Sequence, residues 1–351
     1  MSVTELAGSA ELVEATTVPS RWALWLHAVR PIPELVGLAR TAEELGAYAL
    51  LLADEGTDRD IYVTFTAIAA ATTHIRLVPA ITNPHSRHPV ATAAALASLA
   101  EAAPGRVVFG LGAGGSLVFD PMGIRPAKPF SAVAEALDVV DGLLAGQTVD
   151  HVGQFTVRSA RIPWSPGRLP IAIAGRGPRM ERLAGERADW VIVAGKAVDE
   201  LPQLSARLRQ VGAAQGRTPW IVWNPAAAWT PEFVEEVRPH FAYMTVDTPP
   251  EERRALGITD EQVERIRHEV HLNGPEAAAY LIPDAVVERF AVVGDRAQVA
   301  AKLRWAVGAF HPEIIAFGAH QYSVGHVADI AALAGEVGLL SSPSVAGPPQ
   351  P

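Results

Sequence analysis

The chain has no cysteine among its 351 residues. That absence excludes disulfides, thiolate metal sites and a thiol nucleophile together. No apolar run reaches the roughly 18 residues that a transmembrane helix needs. The opening segment, MSVTELAGSAELVEATTVPS, is acidic and lacks a basic stretch followed by an apolar core. It does not read as a signal peptide, and a cytoplasmic location is the expectation. Positive charge is in short supply: the formal net charge is −9, which argues against a general nucleic-acid or anionic-membrane binder. H-E-x-x-H and G-x-S-x-G are both missing, so neither a zinc peptidase nor a nucleophile-elbow hydrolase is indicated. His268 and His271 lie three apart on an expected helix without a third ligand, and His85 and His88 have polar loop neighbours. No metal site is expected.

Apolar material is plentiful. Hydrophobic residues make up 49% and charged ones 19%, enough for a large buried core. Between ends that read as disordered tails (residues 1–20 and 341–351), short apolar runs alternate with longer amphipathic ones. RWALWLHAV, YALLLADEG, IRLVPAI, RVVFGLGAGG, LPIAIAGRG, DWVIVAG, PWIVWNPAAAW and PEIIAFGAH read as strands. Most are followed by a helical pattern, and QTVDHVGQFTV reads as an added hairpin. The strands are continuously apolar, as in a parallel sheet buried on both faces. About eight βα units result, the number that closes a (β/α)8 TIM barrel. The expectation is thus an α/β protein with one barrel domain over residues 21–340 and a helical insertion, about residues 230–290, before the last unit. An open doubly wound sheet is the competing architecture.

In such barrels the chemistry sits where strands end. The residues at those ends are His27, Asp54 and Glu55, residues 80–83, 112–116, 175–179, Gly195 and Lys196, Asn224, and residues 318–322. GLGAGG (residues 110–115) matches the dinucleotide pattern G-x-G-x-x-G. The following SLVFDPMGIRPAKP delays any expected helix to about Phe130, so the pyrophosphate reading fails on context. A pocket-lining glycine loop and a purely structural turn both stay open. AGRGPR ends a strand with two glycines and Arg176, and Pro178 suits the first helical position. Exposed amides and nearby arginines make it either an anion site or an ordinary turn. In ADEGTDRD, Asp58 and Asp60 suit a solvated loop with helix capping. Asp54 and Glu55, nearer the barrel mouth, could accept a hydrogen bond from a ligand or move a proton. Trp22, Trp25, Trp220, Trp223 and Trp229 read as strand residues, in the core or on pocket walls.

RLVPAITNPHSRHPVATAAALASLAE followed by GRVVFGLGAGG resembles the bacterial luciferase-like superfamily. Within it, the similarity is to the branch around methylenetetrahydromethanopterin reductase, which uses the 5-deazaflavin coenzyme F420. LPIAIAGRGPRMERLAGERADWVIV and ERFAVVGDRAQVAAKL match further regions, so the resemblance covers most of residues 22–337. It implies a bulge after the third strand with a non-prolyl cis peptide, here Ala80-Ile81, backing the cofactor ring. Thr82 and Asn83 would lie beside the ring, with Asn83 able to reach its polar edge. Gly112, Gly114, Gly115 and Ser116 would line the cofactor channel. Gly175, Arg176, Gly177, Pro178 and Arg179 would surround the tail and its phosphate. Asp54 matches an aspartate near the ring, and Trp25 and His27 would shape the substrate side. Two positions depart: Glu55 stands where many F420-dependent relatives have histidine, and Trp25 where relatives of the reductase have glutamate.

The resemblance implies an F420-dependent oxidoreductase that passes a hydride between deazaflavin and a small organic substrate, with Asp54 and Glu55 as the catalytic candidates. One alternative is an FMN-dependent monooxygenase using reduced flavin, O2 and a partner flavin reductase. Another is a non-catalytic F420- or flavin-binding protein. The family often forms dimers through barrel helices, so a homodimer is expected.

Overall fold

Strand runs that are apolar on every residue need cover on both faces, and the observed pairing supplies it. The computed structural model describes residues 19–319 and 322–340. Of the expected tails, residues 1–18 and 341–351 lie outside these, as do His320 and Gln321 at the last strand's end. The strands in chain order are β1 (Arg21–His27), β2 (Ala49–Ala53), β3 (Arg76–Pro79), β4 (Phe109–Leu111), β5 (Val149–Val152), β6 (Thr156–Ala160), β7 (Ile171–Ala174), β8 (Trp190–Val193), β9 (Trp220–Trp223) and β10 (Ile314–Ala319). Strands β5 and β6 form the expected antiparallel hairpin. The other eight form one sheet in the order β3-β2-β1-β10-β9-β8-β7-β4. Every pairing in it is parallel.

The two outer strands meet through bridges at Leu77 with Val107 and Thr82 with Leu111, so the sheet closes into a barrel. The chain bulges between those bridges, and the Ala80-Ile81 peptide there is cis, as the resemblance implies. A Cβ at Gly110 would lie 1.6 Å from the Pro79 carbonyl oxygen, so only glycine lets β4 pass the bulge.

Local chemistry sets the helix ends. Asp60 caps the helix Ile61–Ala71 by accepting from the amides of Tyr62 and Val63, the role expected for it. Asp295 with Gln298, and Ser323 with His326, form capping boxes at the starts of the last two barrel helices. Alternation along β1 divides the core in two. Trp22, Leu24 and Leu26 face the surrounding helices, whereas Ala23 and Trp25 face the barrel interior. At the end of the barrel where the strands begin, Trp190 and Trp220 stack 6.0 Å apart, with Tyr48 against both. The Arg21 guanidinium lies 4.8 Å from the Tyr48 ring centre and Arg76 4.2 Å from it. This end is plugged.

The insertion leaves after β9 and returns before the helix Arg296–Phe310. It therefore sits at the barrel face where strands end, before the last βα unit as expected. The Ala228 amide donates to Val292 and the Val292 amide to Pro225, zipping its base.

Two local expectations fail. A one-turn helix, Ser116–Phe119, follows the glycine loop directly, and the long helix begins at Pro129. The proline-rich stretch is no bar: Pro121 fits a short 3-10 turn that ends at Gly123 with φ 67°. Trp229 lies outside β9, because Pro225 lacks the amide that would continue the ladder. Its ring instead stacks on Phe233 at 4.3 Å.

Candidate functional site

At the other end of the barrel the inward positions become small. Gly110, Gly112, Ala174, Ala194 and Gly318 follow one another around the mouth where the lower layer carries tryptophans. Ile81, half-buried, packs with Ala174 and Ala194 on top of the interior cluster. A Cβ on Gly112 would lie 1.9 Å from Ile81 Cδ1 and 2.8 Å from the Ala174 carbonyl oxygen. Glycine there lets the Ile81 side chain lie flat across the floor. The result is an apolar floor ringed by backbone, a shape suited to a planar ring.

The bulge joins this floor to the carboxylate at the end of β2. Thr82 is fully buried. Its amide donates to the Gly110 carbonyl, its carbonyl accepts from the Gly112 amide, and its hydroxyl donates to Asp54 Oδ2 at 2.8 Å. Burial raises the Asp54 carboxyl above its ordinary range, and the Thr82 hydrogen bond only partly offsets this. Beside them the buried Tyr62 phenol is pushed up, by burial first and the Asp54 charge second. Asn83 follows, and its oxygen is already engaged. Its buried Oδ1 accepts from the His85 amide, the Ser86 amide and the Ser86 hydroxyl. That oxygen shapes its own loop.

On the β1 side, His27 Nδ1 lies 3.5 Å from Glu55 Oε1. His240, from the insertion helix His240–Asp247, sets its ring edge-on to both Trp25, at 6.4 Å, and His27, at 5.7 Å. The Trp25 indole N–H is buried with no acceptor among the described residues. A buried donor left without an acceptor carries a cost that a bound acceptor would remove.

The expected tail side is already in contact with the insertion. Ser116 donates its amide (3.0 Å) and hydroxyl (2.6 Å) to the Asp247 carboxylate. Arg267 donates to both the Ser116 hydroxyl and Asp120. Arg176 reaches the Thr248 hydroxyl at 3.3 Å and the Met244 carbonyl at 3.4 Å. Pro178 starts the helix Pro178–Arg187, with Gly177 before it at φ 100°. Arg179 turns aside, its guanidinium 4.0 Å from the Phe130 ring centre. Lys196 pairs with Glu181 at 3.0 Å. Burial would raise Glu181, but its bonds to Arg207 and Lys196 outweigh that and hold it low.

The structure thus gathers Asp54, Ile81, Thr82, Gly112, Trp25, His27 and Glu55 at one mouth, with Ser116 and Arg176 at its rim under the insertion. Sequence reasoning missed His240, Tyr243, Asp247 and Arg267. His240, Tyr243 and Asp247 are spaced by three and four along HFAYMTVD, one helical face. That stripe was the available signal. His85 was also passed over. Its ring edge meets Phe119 at 5.4 Å, its Nε2 is buried without a partner among the described residues, and burial lowers its pKa. Among the described residues no group of three or more His, Cys, Asp or Glu side chains could hold a metal, and no helix is long and apolar enough to cross a membrane.

The profile of luciferase-like monooxygenases matches residues 15–310. The 5,10-methylenetetrahydromethanopterin reductase of Methanolobus tindarius is 34% identical over 164 residues, 46% of this chain and 50% of that one. At that identity the chain spans about half the length of the curated relative it matches. The reductase of the same name from Methanopyrus kandleri is 25% identical over 320 residues, 83% of this chain and 88% of that one. The solved structure of the coenzyme F420-dependent tetrahydromethanopterin reductase from Methanopyrus kandleri superposes with a TM-score of 0.72 at 22% identity. It covers 90% of this chain and 97% of that one. This last likeness is one of fold.

Proposed function

The chain belongs to the luciferase-like monooxygenase family, and from that premise we propose that it is an F420-dependent oxidoreductase acting on a small organic substrate. The observation that carries the reading is the mouth itself. Small residues on β4, β7, β8 and β10 leave an apolar floor, and Ile81 lies on it beside the cis peptide. A curated relative named F420-dependent glucose-6-phosphate dehydrogenase, from Microbacterium testaceum, is 31% identical over 178 residues, 46% of this chain and 53% of that one, and its name supports the deazaflavin over FMN.

The residues present fit that group. Any side chain at Gly112 would run into Ile81 and the Ala174 carbonyl, so glycine there keeps Ile81 in place on the floor, and the buried Trp25 N–H lacks an acceptor among the described residues. Ile81 would press one face of the ring, leaving the other to the substrate beside Trp25 and His27. Arg176 and the amides ahead of Met180 would take the anionic tail. The deazaflavin, when bound, supplies the hydride chemistry at its C5. The protein's part is orientation, exclusion of water and proton handling. Asp54, held by Thr82, fixes the bulge to β2, while Glu55 and His27 sit on the substrate side.

FMN chemistry is the second reading, because the family profile is one of monooxygenases. Anaerobic incubation with F420 and a panel of small alcohols should bleach the F420 absorbance with at least one of them. Tight FMN binding, oxygen uptake with reduced FMN and no response to F420 would overturn the proposal.

A further inference from the structure

The insertion does more than cover the mouth. Tyr243 lies three residues after His240 on the same helix, and its hydroxyl hydrogen-bonds the Glu55 carboxylate. The same carboxylate meets His27 Nδ1 through its Oε1 at 3.5 Å. Glu55 is therefore held between β1 and the insertion, two parts of the chain that meet only at the barrel mouth. His27 is buried, and His240 closes over its ring edge.

We infer that Glu55, His27 and Tyr243 form one proton-holding unit at the substrate side, in which Tyr243 and His240 of the insertion are positioning residues. Nδ1 is the nitrogen turned to Glu55, so imidazole and carboxylate can share a proton at the mouth. The use of the unit rests on the function proposed above. In reduction of a substrate C=O or C=N, a bound reduced deazaflavin would supply the hydride for the new C–H bond and give up its remaining proton to solvent. His27 would supply the proton for the new O–H or N–H bond and then regain one from solvent.

Other charges face the unit. Asp54 and Asp58 share the Glu55 loop, and Glu276 comes from a later helix of the insertion. Burial raises the Tyr243 phenol most, and the charges of Glu55, Asp58 and Glu276 raise it further. The phenol therefore stays protonated as a donor to Glu55.

The test follows the His27 imidazole by NMR titration in the full chain without cofactor, its signals assigned from a His27→Gln spectrum. Glu55→Gln removes the negative partner, so the His27 midpoint should fall by about one unit. Tyr243→Phe removes the competing donor and leaves the carboxylate to the imidazolium, so the midpoint should rise by a few tenths. Both changes conserve shape, and a structural role alone would not move the midpoint in opposite directions. Unchanged midpoints, or shifts of the same sign, would overturn the inference. Because no cofactor is present, failure to bind F420 would sink the proposed function and leave this result standing.

Discussion

The two ends of the barrel are built from the same strands and serve opposite purposes. Where the strands begin, Tyr48, Trp190 and Trp220 fill the interior, with Arg21 and Arg76 over Tyr48. Where they end, the inward positions shrink to glycine and alanine, and side chains from the insertion close in from above. Bulk at one end supplies burial. Its absence at the other supplies room, at the expense of buried polar atoms such as the Trp25 N–H. The plug should therefore control stability and the mouth should control binding.

Substitution at the plug has the largest expected effect. Trp190→Ala deletes a ring 1% exposed and stacked between neighbours, and should cost about 3–5 kcal/mol of stability in chemical denaturation. F420 affinity per folded molecule should stay within about twofold. At the mouth, Gly112→Val forces atoms onto Ile81 and should cost about 1–3 kcal/mol of stability. Unlike the plug variant, it should also abolish measurable F420 binding. Equal losses of binding in the two variants would erase the contrast between the ends.

Arg176→Ala should weaken F420 binding by about tenfold, the worth of one charge-assisted hydrogen bond, and leave Tm nearly unchanged. Unaltered affinity would remove Arg176 from the site. The smallest effect belongs to Asp54. Its folded pKa is raised, so its ionised form is disfavoured by folding. Stability then declines as pH rises from the ordinary aspartate range through the raised midpoint, and levels off above it. Asp54→Asn should flatten that decline, and its Tm relative to wild type should improve from pH 4 to pH 7. A constant Tm difference across that range would contradict the raised pKa.

How much of this was legible in the sequence follows from the range of the interactions. The strands were readable because burial on both faces leaves unbroken apolar runs, as in WVIV and WIVW. Asp60 as a helix cap was readable because capping is decided within three residues. The bulge after Pro79 was visible as a break in an apolar run, and its cis peptide came only through the family resemblance. The helical turn at Ser116–Phe119 was hard to read because prolines crowd the stretch after it, although Pro121 lies beyond its last residue. The insertion's part in the mouth was beyond reach for a different reason. Ser116 and Asp247 are 131 residues apart, and a stripe of His240, Tyr243 and Asp247 states that a helix face is polar without stating what it meets.

The most direct test of the mouth as a deazaflavin site is equilibrium binding of F420 and FMN to the wild-type protein, read by cofactor fluorescence. Saturable 1:1 binding of F420, at least tenfold tighter than FMN, is the result the barrel mouth predicts. Tight FMN binding with no saturable response to F420 would contradict it.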